Sequence, residues 1–259
     1  VRAVVLKDGE VIEADTVILA PGHSARDTIR SLYERGIPMQ QKDFAVGLRV
    51  SHPQSLIDRS QYGVFEKEEM KRLGLTAASY KLTARASSGR GVYSFCMCPG
   101  GYIVDASSEA GRIAVNGMSE HARDSGRANS AIVCTVGSEE FGGTHPLQGM
   151  LFQQALEEKA FLLGNGSVPV QRYQALRDRF LQTEKSGEST DRTPSDGCED
   201  DYLKTQDLCI RGKWREADLS DLLPRELTRD FIEGMEYFDR KIEGFAGPEA
   251  FCAGLETRT

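Results

Sequence analysis

Two cysteines one residue apart, followed by proline and two glycines, form the densest run of chemistry-bearing residues in the chain: Cys96-Met97-Cys98-Pro99-Gly100-Gly101. In a strand the side-chain period is two, so Cys96 and Cys98 would share one face. That makes them candidate catalytic groups, a redox or substrate-facing thiol pair. Two small buried hydrophobes would fit the same spacing. No low-pKa signature surrounds the pair in sequence. No histidine or further cysteine stands at zinc-ligand spacing, so no metal site is expected. Gly100 and Gly101 permit close backbone approach and N–H donation to an oxygen, as does a plain hairpin turn.

A second candidate is Ala20-Pro21-Gly22-His23. A strand that ends in glycine just before a helix lets a ligand approach the backbone at the carboxyl end of the sheet. An ordinary strand-to-helix turn has the same spacing. A third set is Asn116, Ser119, Arg123, Asn129 and Ser130. Next to strand ends these amide, hydroxyl and guanidinium groups could read a polar small-molecule substrate. Asn, Ser and Gly also favour turns for purely local reasons.

The elements that must position these residues follow from pattern. Asp8-Gly9 is a hairpin signal between Val4-Val5-Leu6 and Val11-Ile12. Thr16–Ala20 is a continuous apolar, β-branched run that suits a strand buried on both faces. Ser24 and Asp27 resemble a capping box opening a helix that stops at Gly36. From 44 to 138, FAVGLRV, YKLTARA, GVYSFCMCP, GYIVDASSE, RIAVNGMSE and SAIVCTVGS read as short strands, with a helix within 61–75. From 147 onward helices dominate. Phe152, Ala155, Leu156, Ala160 and Leu163 are spaced for one buried face, as are Tyr173, Leu176 and Phe180. Leu227, Phe231, Met235, Phe238 and Ile242 form the clearest stripe, with Pro224 near its start. Residues 183–201 contain no large apolar side chain and read as a polar loop.

The expected fold class is α+β: a mixed or antiparallel sheet of about five or six strands with a helical layer. The expected organisation is a strand–turn–helix piece over 1–36, a main domain over 37–250 and a return segment over 251–259. The net charge of −7 argues against a nucleic-acid surface or an anionic membrane patch. No apolar run is long enough for a transmembrane helix. Six irregularly spaced cysteines do not make a disulfide scaffold, which suits a reduced, cytoplasmic protein. Oligomeric state is open. The apolar start and abrupt stop suggest an interior piece of something longer.

The run from Val4 to Gly22, with EADTVILAPG, resembles a segment of flavoproteins with two dinucleotide-binding domains. There a hairpin leads into a parallel strand whose closing turn lies against FAD. KDFAVGLRVSHPQSLID, QYG, YKL, the long block GRGVYSFCMCPGGYIVDASSEAGRIAVNGMSEHARDSGRANSA, FDRKIEGFAG and GLETRT are similar to uncharacterised bacterial FAD-dependent dehydrogenases. The resemblance implies a substrate or cap domain of an FAD-dependent oxidoreductase that passes hydride through flavin. It places Ala20, Pro21, Gly22, His23, Thr257 and Arg258 against FAD, while the Pro99-Gly100-Gly101 turn could meet a flavin edge or a substrate carboxylate. It adds Arg258 as a candidate that stabilises reduced, anionic flavin. It gives Asn116, Ser119, Arg123, Asn129 and Ser130 to the substrate. NAD(P) as a second coenzyme stays open.

The sequence departs from that family in containing no GxGxxG strand–helix unit and no C-terminal glycine-rich FAD segment. The remainder of an FAD-binding domain is therefore an implied partner, and weak or no FAD binding is expected of this chain alone. A non-catalytic ligand- or protein-binding module is the competing reading.

Overall fold

Strand alternation in FAVGLRVSHP sets the architecture. In the computed structural model, which describes residues 2–63, 66–186 and 208–257, this run is strand β3 (Phe44–Pro53), buried along almost its whole length. Val46, Leu48 and Val50 point to one face and join the main core. Ala45, Gly47, Arg49 and Ser51 point to the other.

The chain divides into two units, Val1–Met39 and Gln40–Thr259. The first contains a hairpin, β1 (Ala3–Val5) paired with β2 (Val11–Glu13), and helix α1 (Arg26–Glu34). Gly9 turns the hairpin at φ +92°, as Asp-Gly spacing predicts. The expected buried strand at Thr16–Ala20 does not form. Those residues are irregular, and Val17, Ile18 and Leu19 are 39%, 87% and 60% exposed. A strand needs neighbours for its N–H and C=O groups, and none of the described strands pairs with this run. The helix begins behind Ala25, without a side-chain cap, so Ser24 and Asp27 form no capping box.

The second unit is built on a seven-stranded sheet, against the five or six strands expected. Its further strands are β4 (Thr83–Arg85), β5 (Gly91–Cys98), β8 (Arg127–Val136), β9 (Val168–Arg172), β11 (Trp214–Glu216) and β12 (Phe251–Glu256). The order is β11-β9-β12-β3-β8-β5-β4, antiparallel except for the parallel pair β11–β9. A separate three-stranded sheet joins β10 (Ile210–Arg211), β6 (Gly101–Asp105) and β7 (Val115–Ser119). The α+β class is thus observed. Phe251–Glu256 forms a central strand of the sheet, and β9 and β11 interrupt the expected run of helices.

The helices of this unit are α2 (Gln54–Tyr62), α3 (Lys67–Arg72), α4 (Ser138–Phe141), α5 (Gln148–Leu163), α6 (Tyr173–Ser186) and α7 (Arg225–Asp239). Helix α7 buries Leu227, Phe231, Met235 and Phe238 as its spacing predicts, each contributing about 1.5–3 kcal/mol. Gly234 lets it lie on β5, since a Cβ there would come within 2.5 Å of Val92. Helix α5 differs from expectation: Ala155 is exposed, while Gln153, Gln154 and Glu157 are buried. Gln153 and Glu157 bond Thr257, and Gln154 Nε2 donates to Glu109 Oε2 at 3.2 Å. The polar run at 183–201 lies largely outside the described residues. Among those described, no helix is long and apolar enough to cross a membrane.

Candidate functional site

The face of β3 turned away from the main core carries a completely buried arginine. Arg49 has no solvent-exposed surface, and four neighbouring strands supply its acceptors. From β12, Glu256 accepts from Nη1 at 2.8 Å. From β8, Asn129 Oδ1 accepts from Nε at 2.9 Å. From β7, Asn116 Oδ1 lies 3.4 Å from Nη1. From β5, Cys98 Sγ lies 3.4 Å from Nη2, and the Cys96 carbonyl accepts from the same nitrogen. Burial by itself disfavours the guanidinium charge. Glu256, followed by the two thiols, outweighs it and raises the Arg49 pKa above its ordinary value.

Glycine makes the corner fit. A Cβ on Gly117 would sit 1.9 Å from Arg49 Nη2 and 2.5 Å from Asn129 Oδ1. Strand β7 therefore packs directly against the guanidinium at that point. The Gly117 N–H also donates to Asn116 Oδ1 at 2.7 Å, fixing the amide that faces Arg49.

The thiol pair is split by a bulge. Phe95 pairs with Ala131, so regular register would put Met97 opposite Asn129; Cys98 stands there instead. The extra residue is absorbed at Cys96, whose φ is +46°. The two cysteines therefore do not share a face by strand period, as the spacing had suggested. Cys96 is exposed and Cys98 is buried. The expected absence of a low-pKa environment is also corrected. The neighbouring Cys98 thiol, with Arg49 behind it, brings the Cys96 thiol well below its usual range, while Cys98 is held protonated. Cys96 Sγ lies 3.8 Å from Asn116 Oδ1.

The other residues singled out from sequence have mixed positions. Asn116 and Asn129 converge on Arg49. Ser119 Oγ donates to the Pro99 carbonyl at 2.8 Å, bracing the Pro-Gly-Gly turn. The Gly100 N–H is taken by Gln54 Oε1 at 2.7 Å. The close approach that Gly100 permits is made by the chain itself, since a Cβ there would meet the Arg123 carbonyl at 1.8 Å. The Arg123 residue is exposed. Ser130 faces the helical side and bonds Tyr80 Oη at 2.8 Å. Thr257 is buried, donating to Glu157 Oε1 at 2.7 Å and accepting from Gln153 Nε2 at 2.9 Å. These bonds explain the polar inner face of α5. Arg258 lies outside the described residues. Ala20, Pro21, Gly22 and His23 belong to the first unit, where all four are exposed.

Arg49 was not expected from sequence, and Glu256 stood only within the GLETRT run, with no role of its own. Among the described residues, no group of three or more His, Cys, Asp or Glu is placed to hold a metal.

These features define a mixed-sheet α+β domain with an ion-paired arginine beneath an exposed thiol. Residues 43–259 match the model of the family described as "FAD-dependent protein, C-terminal domain-like", and the chain belongs to that family. It is also 41% identical over 258 residues to an uncharacterized protein of Clostridium beijerinckii (strain ATCC 51743 / NCIMB 8052). The alignment covers 98% of this chain but 44% of that relative, so the chain spans under half the relative's length.

The residues present do not fit a complete FAD site. A dinucleotide pyrophosphate needs a glycine-rich turn with free N–H groups at a helix N-terminus. The sequence holds no GxGxxG, and the Gly100 N–H is already bonded within the chain.

Proposed function

We propose that this chain is the substrate-side portion of an FAD-dependent oxidoreductase, with the dinucleotide held mainly by other parts of a longer protein. The carrying observation is the Arg49 corner, which reaches the surface at Cys96 and Asn116 in a chain of an FAD-dependent family. Bound FAD would supply hydride acceptance and donation. The chain's own residues would do the rest. Arg49 and Asn116 provide fixed positive charge and an oriented amide beside the exposed thiol, and they need no reorganisation to act on a polar small-molecule substrate. Buried Glu256 and Asn129 hold the guanidinium in place.

The test is to purify a protein of the relatives' length that carries this sequence and to record its visible spectrum. An oxidised-flavin band supports the proposal. A colourless protein that takes up no added FAD refutes it, and favours the non-catalytic binding module. This chain alone is expected to bind FAD weakly or not at all; purification with equimolar flavin would overturn that expectation.

A further inference from the structure

The five described cysteines differ in their surroundings. Cys134 and Cys252 are enclosed in the main core, and burial pushes the Cys134 thiol up to about 12. Such thiols are inert. Cys96 differs in every respect that governs reactivity. It is exposed, it sits on a bulge that turns it off the strand period, and its backbone carbonyl is pinned by Arg49. The second sulfur folds back on the first residue: Cys98 Sγ lies 3.4 Å from the Cys96 carbonyl oxygen and 3.4 Å from Arg49 Nη2. An attacking thiol at the surface, a second thiol behind it and a buried cation beside both are the parts of an exchange centre.

We propose that Cys96 and Cys98 are a thiol–disulfide exchange pair acting on a small-molecule disulfide, with Cys96 attacking and Cys98 resolving. The Cys96 thiolate attacks one sulfur of the disulfide R–S–S–R. A Cys96–S–S–R bond forms, the R–S–S–R bond breaks, and one RS⁻ leaves. The Cys98 sulfur then attacks Cys96 Sγ, losing its proton to the departing second thiol. The products are one Cys96–Cys98 disulfide, one RS⁻ and one RSH; the protein pair is oxidised and the substrate disulfide reduced. Arg49 stabilises the thiolate at the start of each step, and Glu256 sets how much of its positive charge reaches the sulfurs. Asn116 is the polar neighbour from β7. This centre needs no flavin, so its test is independent of the function proposed above.

The experiment uses the full chain with Cys198→Ser and Cys209→Ser to remove background thiols, and the aromatic disulfide 5,5′-dithiobis(2-nitrobenzoate) as probe. The expected result is release of about two equivalents of coloured thiolate per chain, loss of about two mass units and no retained adduct. At pH 6 the fast phase should run about tenfold faster than free cysteine, because the gain in thiolate fraction exceeds the loss in intrinsic nucleophilicity. Adding Cys98→Ser should leave the adduct in place with one equivalent released, and adding Cys96→Ser should abolish the fast phase. A stable mixed disulfide on the chain that keeps both cysteines overturns the proposal. So does a fast phase no quicker than free cysteine at pH 6.

Discussion

Two regions of this molecule exchange the places that composition would give them. Val17, Ile18 and Leu19 are among the most apolar consecutive residues in the chain, yet they are exposed. Arg49, Glu256, Asn129 and Thr257 are polar or charged, yet at most 1% of each is exposed. Burial follows partners rather than polarity. The apolar run lies beside no described strand that could take its backbone hydrogen bonds. The polar corner has a donor or acceptor for each of its members, so enclosing it leaves little unsatisfied. Well-packed apolar residues in place of an enclosed ion pair are nevertheless often no less stable. Its contribution to stability is therefore small evidence for why the corner is there, and the exchange chemistry proposed for Cys96 is the alternative to test.

The largest expected effect comes from breaking the corner on one side. Glu256→Gln keeps the shape but leaves Arg49 without its counter-charge, and should destabilise the fold by about 3–5 kcal/mol in urea unfolding. A loss below about 1 kcal/mol would mean that water already reaches Arg49.

His52 sharpens the comparison from the other face of the same strand. It is fully buried, with Nε2 2.7 Å from the Phe245 carbonyl oxygen and its ring centroid 4.1 Å from that of Phe245. Burial is the main cause that lowers its pKa from 6.5 to about 4, and nearby Arg127 adds to it. The folded state thus binds a proton less readily than the unfolded one. His52 costs nothing above about pH 6.5 and progressively destabilises the fold as the pH falls toward 4. The full span is about 3 kcal/mol. Replacement by phenylalanine should flatten this slope in a pH series of melts.

Gly117→Ala probes the close contact of β7 with Arg49. The new methyl would collide with Arg49 Nη2, so a loss of about 1–3 kcal/mol and a slower Cys96 are expected together. Finally, Ile18→Ser should change stability by less than about 0.5 kcal/mol, since a largely exposed side chain has little packing to lose. A larger loss would place Ile18 against an apolar surface.

Much of the fold was legible in the sequence, and the reasons are local. Alternation set β3, β5 and β8, and the stripe from Leu227 to Phe238 set α7. Asp8-Gly9 and Gly36 marked a turn and a helix end. Phe251–Glu256 was not legible, because AFCAGLE is a short apolar run with neither strand alternation nor a turn signal. Its place between β3 and β9 is a long-range pairing. The site was half legible. Cys96, Cys98, Asn116 and Asn129 stood out by type, but the bulge that separates the thiols is a matter of register with β8. Arg49 left one usable signal: a charged residue in the middle of FAVGLRV, which can be buried only if a partner meets it. That partner lies some two hundred positions away and could not be read from spacing. The inner face of α5 is illegible for the same reason, since Glu157 and Gln153 take their partners from distant Thr257.

The central claim is that the Arg49–Glu256 pair is kept for the chemistry of the neighbouring thiol rather than for stability. Its most direct test is the double variant Arg49→Met, Glu256→Leu, with melting temperature and Cys96 disulfide exchange measured on one preparation. The account predicts that the double variant is less destabilised than Glu256→Gln alone, because no unpaired charge stays buried, although Asn129 loses its donor. It also predicts that the fast reaction of Cys96 at pH 6 is lost. A folded double variant whose Cys96 reacts as fast as before would contradict it.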